Sequence, residues 1–231
     1  MLEINNIYNM DCLDGMRLMK EQGIKADWLI ADPPYGIGVG SPAYTNGVER
    51  VGNALANRRD YSNTGEWDKE RISEDIINLM FDRSREQIIF GGNYYTDYLP
   101  PTKSWIVWDK RSASKTDRND FADCELAYCS KGVARVFNYI YNGMIQGDMK
   151  NKDYRFHPTQ KPTQMYEMLL SYYTKEGDLI LDPFAGSQAL RIACHKLQRR
   201  YIGFELDKGY YEQGCQWFEE STAQLNIFDI I

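Results

Sequence analysis

At 231 residues the chain is long for one domain and short for two, and its 43% hydrophobic and 26% charged residues are ordinary for a globular protein without a linker-like break. A net charge of −6 argues against nonspecific adhesion to nucleic acid, no apolar run reaches the ~18 residues of a membrane span, and no signal-like segment precedes the first strand. Five cysteines without a C-x-x-C pair, beside only two histidines, argue against a zinc site and predict a reducing cytoplasm. In chain order, a strand is predicted over 2–8, a helix over 13–22 and a strand over 27–31. Residues 36–70 follow, rich in Gly, Asn, Ser and charge and without clear periodicity. A helix over 71–85 and strands over 87–92, 104–108 and 124–129 precede a second irregular region at about 138–160. The chain then reads helix 161–174, strand 178–182, helix 187–198, strand 200–206 and helix 208–222. Short apolar runs alternating with amphipathic stretches predict an α/β fold on a mostly parallel sheet.

Four acids stand at the ends of these strands: Asp11, Asp32, Asp182 and Glu205. In an open parallel sheet ligands bind outside the carboxyl ends of the strands, so the four can look into one crevice, although each alone reads as a helix cap or a solvated turn. Two of them sit in richer settings. In "LIADPPYGIG" (29–38) neither helix nor ladder continues through Pro33-Pro34, so Asp32, one free proline carbonyl and the Tyr35 ring share a nearly rigid loop. In "DLILDPFAGSQALRIA" (178–193) a strand ends on Asp182, passes Ala185-Gly186-Ser187 and enters a helix whose free N–H groups suit a carboxylate or phosphate. An acid about 20 residues past such a turn suits ribose hydroxyls, which Glu205 supplies. The turn lacks G-x-G-x-x-G spacing, which disfavours NAD.

These motifs, in this order, resemble those of the S-adenosylmethionine-dependent DNA amino-methyltransferases in which the catalytic motif precedes the cofactor motif. Asp32-Pro33-Pro34-Tyr35 is similar to the family's D-P-P-Y, "DPFAGSQ" (182–188) to its cofactor loop except at Gln188, and "FHPTQKP" (156–162) to its H-P-T-Q-K-P segment. "IGFELD" (202–207) is similar to the ribose-binding strand end, and "MDCLDGM" (10–16) to a G-D-C-L segment with Met10 in place of glycine. "FGGN" (90–93) and "WDK" (108–110) also fit. The resemblance implies a Rossmann-like, mostly parallel seven-stranded sheet with helices on both faces, the class I methyltransferase fold in circularly permuted order. It implies one catalytic domain over 1–231, with irregular DNA-contacting insertions at about 36–70 and 132–156.

It also implies roles. Asp32 and the Pro33 carbonyl would accept from the target amine, Pro34 would stiffen the loop, and Tyr35 would stack on a base flipped out of the duplex. Asp182, Phe184, Gly186 and Ser187 would surround the methionine end of S-adenosylmethionine, Glu205 the ribose, and Asp11 with Cys12 the adenine edge. Thr159 and Lys161 would meet the cofactor carboxylate, with His157 as an orienting hydrogen-bonder; no metal is called for. The expected reaction is N6-adenine methylation in DNA. N4-cytosine methylation stays open, as does a catalytically impaired cofactor-binding partner subunit, for which Met10 and Gln188 are the departures. The implied setting is a cytoplasmic restriction-modification enzyme of prokaryotic or phage origin, with no membrane partner and a homodimer left open. For DNA, Lys131, Arg135, Lys150, Lys152, Arg155 and Lys161 outnumber Asp148 and Asp153 over 131–161, a stretch able to track phosphates. Residues 36–70 offer Tyr44, Tyr61 and Trp67 for stacking.

Overall fold

The structure, a computed structural model, describes residues 1–38, 68–111, 122–142 and 145–228. The stacking residues Tyr44, Tyr61 and Trp67 lie outside them. The elements in chain order are β1 (Asn6–Asn9), α1 (Cys12–Glu21), β2 (Ala26–Ala31), α2 (Glu74–Arg83), β3 (Ser84–Phe90), β4 (Ile106–Asp109), β5 (Cys124–Cys129) and β6 (Arg135–Asn138). A short β7 (Tyr141–Asn142) and β8 (Ile145–Gln146) pair with each other, and α3 (Thr163–Tyr173), β9 (Leu179–Asp182), α4 (Ala189–Lys196), β10 (Arg200–Glu205) and α5 (Lys208–Phe228) follow.

The sheet runs β1-β10-β9-β2-β3-β5-β4-β6, with β5 antiparallel to both neighbours and the remaining pairs parallel. The described sheet therefore has eight strands where seven were expected. The extra one is β6 at the edge, whose Val136 is exposed, so it carries no buried apolar run for a sequence to reveal. It also gives regular structure to part of the region expected to be irregular.

Alternation along the central strands divides the core. Trp28, Ile30, Ile88 and Phe90 face α3, α4 and α5, packing near Met165, Leu169, Ile192 and Trp217. Leu29, Ala31, Ile89, Leu181 and Phe204 face α1 and α2, meeting Met16, Met19, Ile77 and Met80. Successive strand side chains point to opposite faces, and both faces are covered, so the strands read as nearly continuous apolar runs.

From β9 the chain winds through α4 to β10 on one side, and from β2 through α2 to β3 on the other. The winding direction reverses between β9 and β2, which is where a crevice opens at the carboxyl ends of an α/β sheet. With Leu29 opposite Leu181, Asp32 and Asp182 leave the sheet side by side at that point.

Candidate active site

The Asp32 half is built around a stiff loop. Tyr95 donates its hydroxyl to the Pro34 carbonyl, and the Tyr35 and Gly36 N–H groups donate to Asp68 Oδ1 at 2.7 and 3.0 Å. Prolines supply no competing donors, and among the described residues none donates to the Pro33 carbonyl. The Tyr35 ring stacks on Tyr94 with centroids 5.0 Å apart and lies against Gly91, whose φ of +64° and bare Cα admit the ring where a Cβ would collide. Both Asp32 oxygens are engaged: Tyr35 donates its hydroxyl to Oδ1 at 2.6 Å, and the Lys161 ammonium sits 2.5 Å from Oδ2. Burial pushes the Asp32 carboxyl above its usual range; Lys161 opposes the rise and Glu125 adds to it.

The Asp182 half faces it from the neighbouring strand. Asp182 is buried, with the Phe184 N–H as a long donor at 3.3 Å, and its carboxyl is pushed up to about 8 by burial, with Glu205 and Asp32 adding to the rise. Glu205 Oε2 accepts from the Gly186 N–H at 2.7 Å and Oε1 from the Asp207 N–H at 2.8 Å, which fixes the acid beside the glycine turn. Asp11 caps α1 by accepting from the Leu13 N–H at 2.8 Å, and the neighbouring Cys12 thiol is pushed up to about 12 by burial and Asp11. Because Asn9 pairs with Glu205 across β1 and β10, Asp11 and Cys12 leave the sheet beside the Glu205 carboxylate. His157 approaches Gly186, packs 4.2 Å from the Tyr210 ring and lies 3.3 Å from Thr159 Oγ1. Burial, with Lys161, lowers it to about 4, so it is neutral at physiological pH. Ser187 is buried at the turn and Phe184 packs against the face lined by Phe204. A buried, underpartnered acid beside a glycine turn and a second acid on the adjacent strand suit a ligand with one cationic end and a hydroxylated middle.

The structure thus brings Asp11, Cys12, Asp32, Pro33, Pro34, Tyr35, His157, Thr159, Asp182, Phe184, Gly186, Ser187 and Glu205 to one end of the sheet. Lys161 departs from its expected place at a cofactor carboxylate: its ammonium, with a side chain 5% exposed, is spent on Asp32 and on Glu125 Oε2 at 3.4 Å. A buried ammonium takes the nearest carboxylates, and here these belong to the chain itself. Gln188, the departure from the cofactor loop, has its side chain packed between α4 and α5. From a left-handed backbone conformation (φ +64°) it donates to the Tyr211 carbonyl at 3.0 Å and accepts from Arg191 at 2.7 Å. Residues that the sequence reading did not place are Glu125, Lys110, Asp68, Tyr94, Tyr95 and Tyr166. The visible signal for Glu125 was a charged residue inside the apolar strand "CELAYC", and for Lys110 the "WDK" motif.

Residues 93–216 match the model of a family described as DNA methylase, the N6/N4 methyltransferases. The chain is 24% identical over 274 residues to Type II methyltransferase M2.MboI of Moraxella bovis, covering 95% of this chain and 89% of that protein. Over 81 residues it is 41% identical to Type II methyltransferase M.HpaI of Haemophilus parainfluenzae, a match spanning 35% of this chain and 25% of that one. Among solved structures, an M1.HpyAVI–SAM complex superimposes with a TM-score of 0.56 at 22% identity, covering 91% of this chain and 98% of that one. The cytosine-N4-specific PvuII DNA methyltransferase does so at 0.55 and 15%, covering 96% and 91%. Both share the class I methyltransferase fold derived above, and with more than half of its length inside the family model, this chain belongs to the N6/N4 DNA methylase family.

Proposed function

We propose that this chain transfers the methyl group of S-adenosylmethionine to the exocyclic N6 amine of adenine in DNA. The observation that carries the reading is the pair of acceptors at the switch point, the Asp32 carboxylate and the Pro33 carbonyl, which takes no donor among the described residues, next to the buried Asp182 of the cofactor turn. Asp182, Gly186 and Glu205 fit the cofactor: the acid suits its cationic end, and the carboxylate held by Gly186 suits ribose hydroxyls. Bound S-adenosylmethionine supplies an electrophilic methyl group on a positively charged sulfur.

The remaining work falls to the chain's residues. An exocyclic amine is a poor nucleophile because its lone pair is delocalised into the ring. Donation of one N–H to Asp32 and the other to the Pro33 carbonyl returns electron density to nitrogen, and both acceptors are preorganised by the loop. The amine takes the place of the Tyr35 hydroxyl on Asp32 Oδ1, which frees the Tyr35 ring to lie on the extruded base. As the nitrogen–methyl bond forms, the sulfur–methyl bond breaks and sulfur keeps the electron pair. Nitrogen's surplus proton then passes to Asp32. The resemblance to the D-P-P-Y motif, with an acid rather than serine at position 32, supports adenine over cytosine N4.

The test is to incubate the protein with unmethylated DNA and S-adenosylmethionine, digest the DNA to nucleosides and identify the product by mass spectrometry. N6-methyldeoxyadenosine is expected. N4-methyldeoxycytidine would overturn the adenine assignment and leave the family chemistry standing.

A further inference from the structure

We propose that Lys161 and Glu125 are positioning residues that set the protonation and aim of Asp32, and that Lys161 is not a cofactor ligand. This rests on the reading of Asp32 as acceptor of the target amine. Lys161 Nζ lies 2.5 Å from Asp32 Oδ2, 3.4 Å from Glu125 Oε2 and 3.4 Å from the Tyr35 hydroxyl, and 4.6 Å over the Phe90 ring. Asp32 holds the ammonium at the short distance, whereas Glu125 Oε2 is bound to it by charge and takes no hydrogen bond among the described residues, a buried oxygen kept in place by the ion pair. The other Glu125 oxygen, Oε1, takes Lys110 Nζ at 3.1 Å. The four side chains alternate in sign, Asp32, Lys161, Glu125, Lys110, and come from the ends of β2 and β4, from β5 and from the segment before α3.

Alternation decides what Asp32 can do. Among the described residues the groups facing it are Lys161, Glu125, Tyr35, Tyr95, Tyr166 and Asp182, of which Lys161 is the cation. A carboxylate this buried stays ionised only with a partner, and a protonated Asp32 would present a donor to the amine it must accept from. Lys161 therefore keeps the acceptor an acceptor, while Glu125 limits how tightly Lys161 holds it, leaving Oδ1 free to exchange the Tyr35 hydroxyl for the base.

The two neighbours make predictions of opposite sign. Lys161→Met should lower kcat by ~10²–10³, move the acidic limb of the kcat–pH profile upward by about one unit or more, and leave the calorimetric Kd for S-adenosylmethionine within about threefold. Lys161→Arg should return the limb toward its original position. Glu125→Gln, which removes the charge that raises Asp32, should move the limb to lower pH, and this variant serves if Lys161→Met does not fold. A tenfold or larger loss of cofactor affinity with an unmoved limb would overturn the proposal and return Lys161 to the cofactor. Limb shifts of the stated signs on an enzyme that methylates cytosine would sink the adenine reading alone. If the wild type transfers no methyl to DNA, the carboxyl carbon of Asp32, assigned by difference with Asp32→Asn, is titrated by carbon-13 NMR instead. An Asp32 titration that Lys161→Met leaves unchanged overturns the proposal; an upward shift supports it.

Discussion

Asp182 shows how one burial choice reaches ligand binding. Its carboxyl titrates near 8 in the folded protein, burial being the main cause, against about 3.9 in an unfolded chain. Between those values the native state holds a proton that the unfolded state has lost, so this residue's contribution to stability falls as pH rises from about 4 to about 8. A cation at the turn reverses the preference and expels that proton. Affinity for S-adenosylmethionine should therefore improve from pH 6 to pH 8, by up to about tenfold per unit, and Asp182→Asn should flatten the dependence. Titration calorimetry in buffers of different ionisation enthalpy counts the proton released; a pH-independent affinity in the wild type would remove Asp182 from the cationic end. The position of Asp182 was legible in the sequence because an acid closing an apolar run marks a strand end. The partner of Lys161 was not. Lys161 and Asp32 lie on opposite sides of β3, β4 and β5 in the chain, and nothing local reveals which carboxylate a buried lysine will find.

Elements were legible where burial wrote a pattern and illegible where it did not. The central strands declare themselves as apolar runs, whereas edge strand β6 and the two-residue β7 and β8 bury too little to leave one. Gln188 is an element-level feature that the sequence showed only as a departure from a motif. It occupies the residue before α4 in a conformation that suits glycine, yet its side chain is fully buried and fills the space left by Gly214 on α5. Its amide joins the Tyr211 carbonyl to Arg191, so the residue ties α4 to α5. Gln188→Gly should relieve roughly 1 kcal/mol of left-handed strain. It should also open a void at Gly214 and strip the Arg191 guanidinium of an acceptor, costing about 2–3 kcal/mol together. The expected result is a net loss of about 1–2 kcal/mol in denaturant unfolding with unchanged cofactor affinity. Tighter cofactor binding by the glycine variant would mean that the Gln188 side chain crowds the cofactor loop.

Across the whole molecule, the sequence could count charges but not say which ones face outward. Of the basic residues over 131–161, Lys161 is buried on Asp32, Lys131 pairs with Glu86 at 3.3 Å, Arg135 donates to the Tyr172 hydroxyl and Arg155 lies 4.6 Å over the Tyr141 ring. Lys150 and Lys152 are different: they stand on an exposed turn beside Met149 and Tyr154, both more than half exposed. That turn is fastened to the site. Gln146 and Asp153 exchange hydrogen bonds of 3.0 and 2.9 Å across it, and Asp153 accepts from the Thr163 N–H at the start of α3, two residues past Lys161. If a bound duplex runs along this turn, each phosphate neutralised there adds about 0.9 to the slope of log affinity against log salt. Replacing Lys150 and Lys152 together by alanine should weaken DNA binding and flatten that slope by about 2, with the fold and cofactor affinity intact. Lys131→Ala, which removes a charge already paired on the sheet's opposite end, should leave the slope unchanged. Fluorescence anisotropy of a labelled duplex over a salt series reads both. A slope that moves with Lys131 and not with the lysine pair would put the DNA on another face of the protein.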